Sequence, residues 1–555
     1  MMITVSVIIS RRSAGHESNG GRMRNTTRVL GVTAAITALL TAAAPASAEP
    51  APFAVPSEYA DQRIDWQPCF DEPPPQLPPG GERLECGTLT APMDWHNPDN
   101  GKEIRIAVSR LRPEGTQNAR ALFTNPGGPG GAGLEMPLGF LFDGRDELAA
   151  HFTIYGIDVR GTGRSTTVSC GPQENAPSFD VKDRSPQNVR AILHHTEEFA
   201  ESCAQHSGEL GRYVNTEQTV ADLDLLRRVE DHDRINWYGV SGGTWLGAHY
   251  ATYFPRAVDR MVLDSNTQFT GSWQEVFAWQ PMAFERRWRE DVLPWLAAHD
   301  DQYQLGSSPR QVQFTVDQLR EGLKRQPLPT PQGPLDHNAL DALLVQAMYS
   351  KSLFPELGEA LRALRAETDL ELVAERLAAT RARFVPMQTD PADSQAATMF
   401  AIRCNDTEFR GTPDSVAAWS QLQGQMFPLY GYHTIVQPCL YWHGQQAQLK
   451  RPDGKGVPPV LMLQAEKDPA TAYEGALIAH REFANSRLVT VRGEGDHGVY
   501  GAGNGCVDDV VVEYLIDKQV PAGDISCPGG ELPGVDVRDQ RSGLLDNLLE
   551  LQDLL

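Results

Sequence analysis

Residues 235–250 read INWYGVSGGTWLGAHY. Ile235, Trp237 and Tyr238 give an apolar run of strand character. The segment from Thr244 to Phe254 has helical character, and between the two lies Gly239-Val240-Ser241-Gly242-Gly243. A G-x-S-x-G placed between strand and helix makes a turn so tight that the serine hydroxyl is pushed clear of the sheet. The glycines on either side omit the Cβ atoms that would strike the adjoining strand and helix. A glycine-rich turn with an incidental serine has the same pentapeptide, so the remainder of the chain must decide between them.

Working outward from this stretch, the pattern is strand and helix in alternation. Gly87–Asp94 and Glu103–Leu111 alternate as a hairpin would. Arg120–Thr124 is a short apolar strand running into Asn125-Pro126-Gly127-Gly128-Pro129-Gly130-Gly131, and Phe152–Asp158 is another. Thr216–Val229 reads as a helix, with Val220, Leu223, Leu225 and Leu226 on or near one face, and Val258–Leu263 follows the serine helix as a strand. From about Gln268 to Gln445 the pattern turns helical, as in Leu340–Met348, Leu357–Arg365 and Leu370–Ala378. Strand rhythm returns at Pro458–Gln464 and Arg487–Val491, separated by a helix near Tyr473–Phe483 and closed by one near Val507–Ile516. The expected fold class is α/β: an α/β-hydrolase fold whose mainly parallel sheet carries an inserted helical lid domain. The expected division is core over 61–267, lid over 268–445, and core with C-terminal tail over 446–555. A lid so placed covers the strand ends where ligands bind in such sheets.

The N-terminus has a different character. Arg22, Arg24 and Arg28 precede an uncharged run from Val29 to Ala44, then Ala46-Ser47-Ala48. This is a secretory signal pattern over 1–48, and Met23 is an alternative start. The uncharged run is shorter than the ~20 residues that span a bilayer, so no membrane anchor is expected after cleavage. A Pro- and Ala-rich stretch, 49–60, reads as a propeptide or flexible arm. All eight cysteines lie beyond the signal and include no C-x-x-C spacing. In an oxidising compartment they are expected to pair as neighbours: Cys69 with Cys86, Cys170 with Cys203, Cys404 with Cys439, and Cys506 with Cys527. A formal charge of −23 over 555 residues argues against nucleic acid as a partner, since phosphate binding needs a positive surface. A secreted, extracellular monomer is expected.

A serine hydroxyl is a weak nucleophile at neutral pH and needs a base, itself oriented by a third group. The hydrolase order is serine, then acid, then histidine. Downstream of Ser241, Asp468 lies just past one strand in Ala465-Glu466-Lys467-Asp468-Pro469. His497 lies just past the next in Gly493-Glu494-Gly495-Asp496-His497-Gly498. Glu466, Asp496 and Asp264 are rival acids. The oxyanion of an acyl-transfer intermediate needs two donors. One is expected from the N–H of Gly242 and the other from Gly127 or Gly128. No Gly-Lys-Ser/Thr follows that turn, which sets aside a phosphate loop. No metal or organic cofactor is required by this chemistry.

The motifs NPGGPGGAG (125–133), DVRGTGRS (158–165), GVSGGTWLGAHYATYFP (239–255), AEKDPAT (465–471) and GDHGVY (495–500) together resemble the secreted tripeptidyl aminopeptidases of actinobacteria. These are relatives of prolyl aminopeptidases within the α/β-hydrolase fold. The resemblance runs in order from Trp66 to Cys527, cysteine placements included. It implies a triad of Ser241, Asp468 and His497, and release of short peptides, usually tripeptides, from free N-termini of peptides or proteins. One departure is Gly242, where many relatives carry an aromatic residue. An anchor for the substrate ammonium is expected from a carboxylate near the lid, with Asp406, Glu275, Glu285 and Glu408 as candidates. Asp406 stands out because a disulfide at Cys404 would fix its position. An esterase or lipase would share the triad, and a catalytically silent binding protein would share the fold.

Overall fold

Three runs of six residues, 152–157, 235–240 and 460–465, have no exposed residue, and they lie in the middle of one sheet. The computed structural model describes residues 53–534 except 73, 75–76, 117, 143–144, 173–176, 330–333, 367–392 and 445–446. The signal segment 1–48 and the expected helix Leu370–Ala378 lie outside the described residues. The strands are β1 (Gln67–Pro68), β2 (Glu85–Pro92), β3 (Glu103–Leu111), β4 (Arg120–Asn125), β5 (Phe152–Ile157), β6 (Ile235–Val240), β7 (Val258–Asp264), β8 (Val460–Ala465), β9 (Ser486–Arg492) and β10 (Ile525–Pro528). They form a ten-stranded sheet in the order β1-β2-β3-β5-β4-β6-β7-β8-β9-β10. From β5 to β10 every neighbouring pair is parallel, while β1, β2 and β3 are antiparallel. Every residue of β5, β6 and β8 is buried, as expected for parallel strands covered by helices on both faces.

Two apolar cores cover the faces of this sheet. One includes Phe123, Trp237, Trp245, Met261 and Leu263, and the other Leu122, Tyr238, Val262, Leu461 and Val489. Alternate residues of β4, β6, β7 and β8 supply opposite sides, the period-two rule of a strand. The helix Thr216–Val229 begins where the Asn215 side chain accepts the Gln218 N–H at 3.0 Å, and it buries Val220, Leu223, Leu225 and Leu226. The expected flexible arm is corrected in part by the structure. Phe53 and Tyr59 are buried, packed against Trp95, with Phe53 also stacked 5.9 Å from Tyr253. Two aromatic rings gain too much from leaving water for such a segment to stay free.

Between β7 and β8 no described residue joins the sheet. The intervening chain folds into helices with an apolar core of their own, built on Phe284, Trp288, Leu340, Phe354 and Leu361. This is the lid. Among the described residues no helix is long and apolar enough to cross a membrane.

The four disulfides are Cys69–Cys86, Cys170–Cys203, Cys404–Cys439 and Cys506–Cys527, a set that fits an extracellular protein. Cys404–Cys439 joins residues 35 apart within the lid. Loop-closure entropy assigns such a cross-link about 3–4 kcal/mol. Replacing both cysteines by serine is expected to lower the unfolding free energy by that order in a denaturant titration.

Candidate active site

The chain leaves β6 at Val240 and enters the helix Gly242–Tyr253 at once, so Ser241 must turn the backbone alone. It does so at φ 57° and ψ −122°, a region costly for a residue with a side chain. The surroundings hold it there. The Ser241 N–H donates to the Asp264 carbonyl at 2.9 Å, and its own carbonyl accepts from the Thr244 N–H and hydroxyl at 2.9 and 2.6 Å. A Cβ at Gly239 or Gly243 would collide with Trp237 and the Gly243 carbonyl, or with the Asn125 carbonyl. Glycine at both positions is therefore a condition of the turn.

His497 sits on the loop after β9, and Asp468 on the loop after β8. Nδ1 of His497 lies 3.0 Å from each carboxylate oxygen of Asp468. A carboxylate there places the proton on Nδ1 and leaves Nε2 as an acceptor. Asp468 also accepts the N–H groups of Ala470 and Thr471 at 2.9 and 2.8 Å and the Thr471 hydroxyl at 3.0 Å. Burial alone would push this carboxyl up. The facing imidazole, with hydrogen bonds from Thr471 and Ser265, outweighs burial and holds it below the ordinary carboxylate range.

The end of β7 ties the serine turn to the histidine loop. Besides the Asp264 carbonyl on Ser241, the Asp264 carboxylate accepts the N–H groups of Val499 and Tyr500, each at 3.0 Å, and the Tyr238 hydroxyl at 3.0 Å. The Ser265 hydroxyl accepts the Gly498 N–H at 2.7 Å. Among the described contacts no hydrogen bond joins Ser241 to His497; such bonds are often long without substrate and tighten in the complex. The rival acids are engaged elsewhere. Asp264 buttresses the loop, Glu466 accepts the Gly493 N–H at 2.8 Å, and Asp496 pairs with Arg287 at 2.6 Å.

The Gly127–Gly128 turn packs directly on the serine turn. A Cβ on Gly127 would strike Val240, Ser241 and Gly242, and one on Gly242 would come within about 3 Å of the Gly128 and Pro129 nitrogens. Gly127 is corrected as an oxyanion donor, because its N–H already donates to Asn125 Oδ1 at 3.0 Å. Gly128 and Gly242 remain, and both line the same cavity as Ser241.

That cavity, about 250 Å³, lies between core and lid. Its walls are Trp273, Phe277, Phe284, Tyr349 and Tyr430, with Gln280, Arg403, His433 and Thr471 among its polar groups. None of the four candidate ammonium anchors lines it, which corrects that expectation. Asp406 is the last residue of the helix Ser394–Asp406. It accepts the Thr216 N–H and hydroxyl at 2.7 and 2.6 Å and Trp273 Nε1 at 2.9 Å. Burial pushes its carboxyl up to about 6 in spite of these bonds. Glu275 caps its own helix through Ser272. Glu285 accepts the Leu429 N–H at 2.9 Å and pairs with Arg289. Glu408 is exposed beside Arg410. Sequence reasoning passed over Arg403 and the aromatic walls, which carry no motif and are brought together only by the lid's packing.

The chain is 35% identical over 487 residues to a tripeptidyl aminopeptidase of Streptomyces lividans, covering 84% of this chain and 86% of that protein. The chain belongs to the tripeptidyl aminopeptidase family. The family described as "TAP-like protein" matches residues 426–527, which hold both Asp468 and His497. Two further proteins are similar at lower identity. Serine protease Hip1 of Mycobacterium tuberculosis is 26% identical over 84% of this chain and 91% of its own, and a carboxylesterase B of that species is 27% identical over 80% and 86%. Like other tripeptidyl aminopeptidase family members, this protein is a serine hydrolase of the aminopeptidase type.

Proposed function

We propose that this protein is a secreted exopeptidase that releases short peptides, tripeptides in particular, from free N-termini through an acyl-enzyme on Ser241. The observation that carries the reading is the bidentate approach of Asp468 to His497 Nδ1, which leaves Nε2 as the base. His497 takes the Ser241 hydroxyl proton as Oγ bonds to the scissile carbonyl carbon. The carbonyl oxygen becomes an oxyanion facing the N–H groups of Gly242 and Gly128. The imidazolium then gives its proton to the departing amine as the C–N bond breaks. Water repeats the sequence: His497 takes its proton, hydroxide adds to the ester carbonyl, and Ser241 leaves reprotonated.

A cavity this small beneath a lid excludes a folded chain, which favours action at chain ends. The names of the Streptomyces relatives support tripeptides as the unit released. The signal pattern over 1–48 and the four disulfides support export.

Tripeptide anilides with free and with blocked amino ends, set against nitrophenyl esters, test the reading. Cleavage restricted to free amino ends is expected. Indifference to blocking, or turnover of esters alone, would replace it with the esterase reading.

A further inference from the structure

Buried arginines in this protein have acceptors, and Arg145 donates to the carbonyls of Gly139 and Gly501. Arg160 is paired with Asp222 at 2.7 Å, Arg287 with Asp291 and Asp496, and Arg320 with Asp180 and Asp341. Arg403 is different. It is half-buried on the helix Ser394–Asp406, its Nε is shut off from solvent, and among the described residues that atom has no hydrogen-bond partner and the side chain no carboxylate. The next cysteine, Cys404, fixes the helix end through its disulfide to Cys439. The guanidinium carbon lies 3.6 Å from the centre of the Phe277 ring and 5.7 Å from that of Phe400. Cation–π contact offsets part of the cost of burying a charge, but the guanidinium presents five donors in a rigid fork, and a ring face satisfies none of them. Burial lowers its pKa to about 10, so it stays charged at neutral pH.

Arg403 also lines the cavity that reaches Ser241, Gly128 and Gly242. Among the described residues no carboxylate lines that cavity. Asp406, one helical turn further on, is turned away to Thr216 and Trp273. His433, on the same wall, has a buried Nδ1 without a partner as well. A planar cation held open in an aromatic-walled site is matched by a planar anion able to take two of its N–H groups at once.

We infer that Arg403 is a carboxylate receptor of the substrate cavity, giving this enzyme a preference for peptides that bring a carboxylate into it. The inference rests on the exopeptidase reading above. The carboxylate has two possible sources: an acidic side chain in the released portion, or the free C-terminus of a short peptide. Tripeptide anilides have no C-terminal carboxylate, so a series with Glu or Gln at each position isolates the first source. Neutral tetrapeptides as free acids or as amides isolate the second.

Roughly tenfold or greater preference in kcat/KM for the carboxylate member of a pair is expected in the wild type. The preference is expected to vanish in Arg403→Met and Arg403→Gln and to survive in part in Arg403→Lys. The ratio is the readout, so a general loss of rate in a variant does not enter, and labelling by a fluorophosphonate reports that each variant has a folded site. Absence of preference in both series, or a preference unchanged in the Met and Gln variants, overturns the proposal. Should no peptide be cleaved although the serine labels, the exopeptidase reading falls by itself. Slowing of that labelling by the Glu tripeptide over the Gln tripeptide, in wild type and not in Arg403→Met, still decides the role of Arg403.

Discussion

Ser241→Ala is expected to lower peptide turnover by about six orders of magnitude, and His497→Ala by about as much. In the proposed mechanism the hydroxyl and the imidazole act on the same proton in the same step, so either loss removes the whole nucleophilic route. For that reason the double variant is expected to be no worse than either single one. What remains is the smaller acceleration contributed by the Gly128 and Gly242 donors and by binding in the cavity. Stability should hardly move, within about 1 kcal/mol. The strained φ of Ser241 is imposed by Gly239, Gly243 and the Asp264 carbonyl and is much the same with alanine. Single-turnover assays with a tripeptide anilide, together with thermal melts, check both halves. A Ser241→Ala protein of near-normal activity would remove the acyl-enzyme altogether.

Asp468→Asn is expected to cost about 10⁴-fold in kcat. The amide is close to the carboxylate in shape, but its NH₂ can face Nδ1 and drive the imidazole proton to Nε2, which then cannot accept the Ser241 hydroxyl proton. Asp468 should also leave a signature in stability. Its folded pKa is depressed, so its ionic contribution is complete above the unfolded value of about 3.9 and is lost as pH falls through the lower folded value. The stability difference between wild type and Asp468→Asn is therefore expected to be constant near neutrality and to shrink below about pH 4. Melting curves across that range test the sign.

The sheet was legible because its central strands are buried on both faces and so read as unbroken apolar runs. The helix Thr216–Val229 and the strand at Val258 fall where periodicity places them. The helix Pro186–Ser207 was not anticipated. The positions it buries are Ile192, Thr196, Ala200 and Cys203, of which only the first is a large apolar residue, so the stripe is invisible as hydrophobicity. Strand β10 was missed for a related reason: Ile525–Pro528 is four residues long and holds its place by pairing with β9. At the site, Asp468 and His497, which the structure brings within 3.0 Å, could be singled out because both follow strands in the order that serine hydrolases use. Residues of the cavity wall follow no such rule. Asp406 had the right chemistry in the right neighbourhood, yet Thr216 and Trp273 claim its oxygens, and only tertiary packing reveals a prior commitment of that kind.

The roof over the cavity is fastened to the very loop that carries His497. The His497 N–H donates to the Tyr349 carbonyl at 2.8 Å, the Tyr349 ring stands edge-on to the imidazole, and Arg287 grips Asp496 next door. Any swing of that part of the roof wide enough to admit a bulky chain must first let go of the histidine's own backbone. In the proposed mechanism, entry and reactivity are thereby opposed, because an opened roof leaves the imidazole less firmly held.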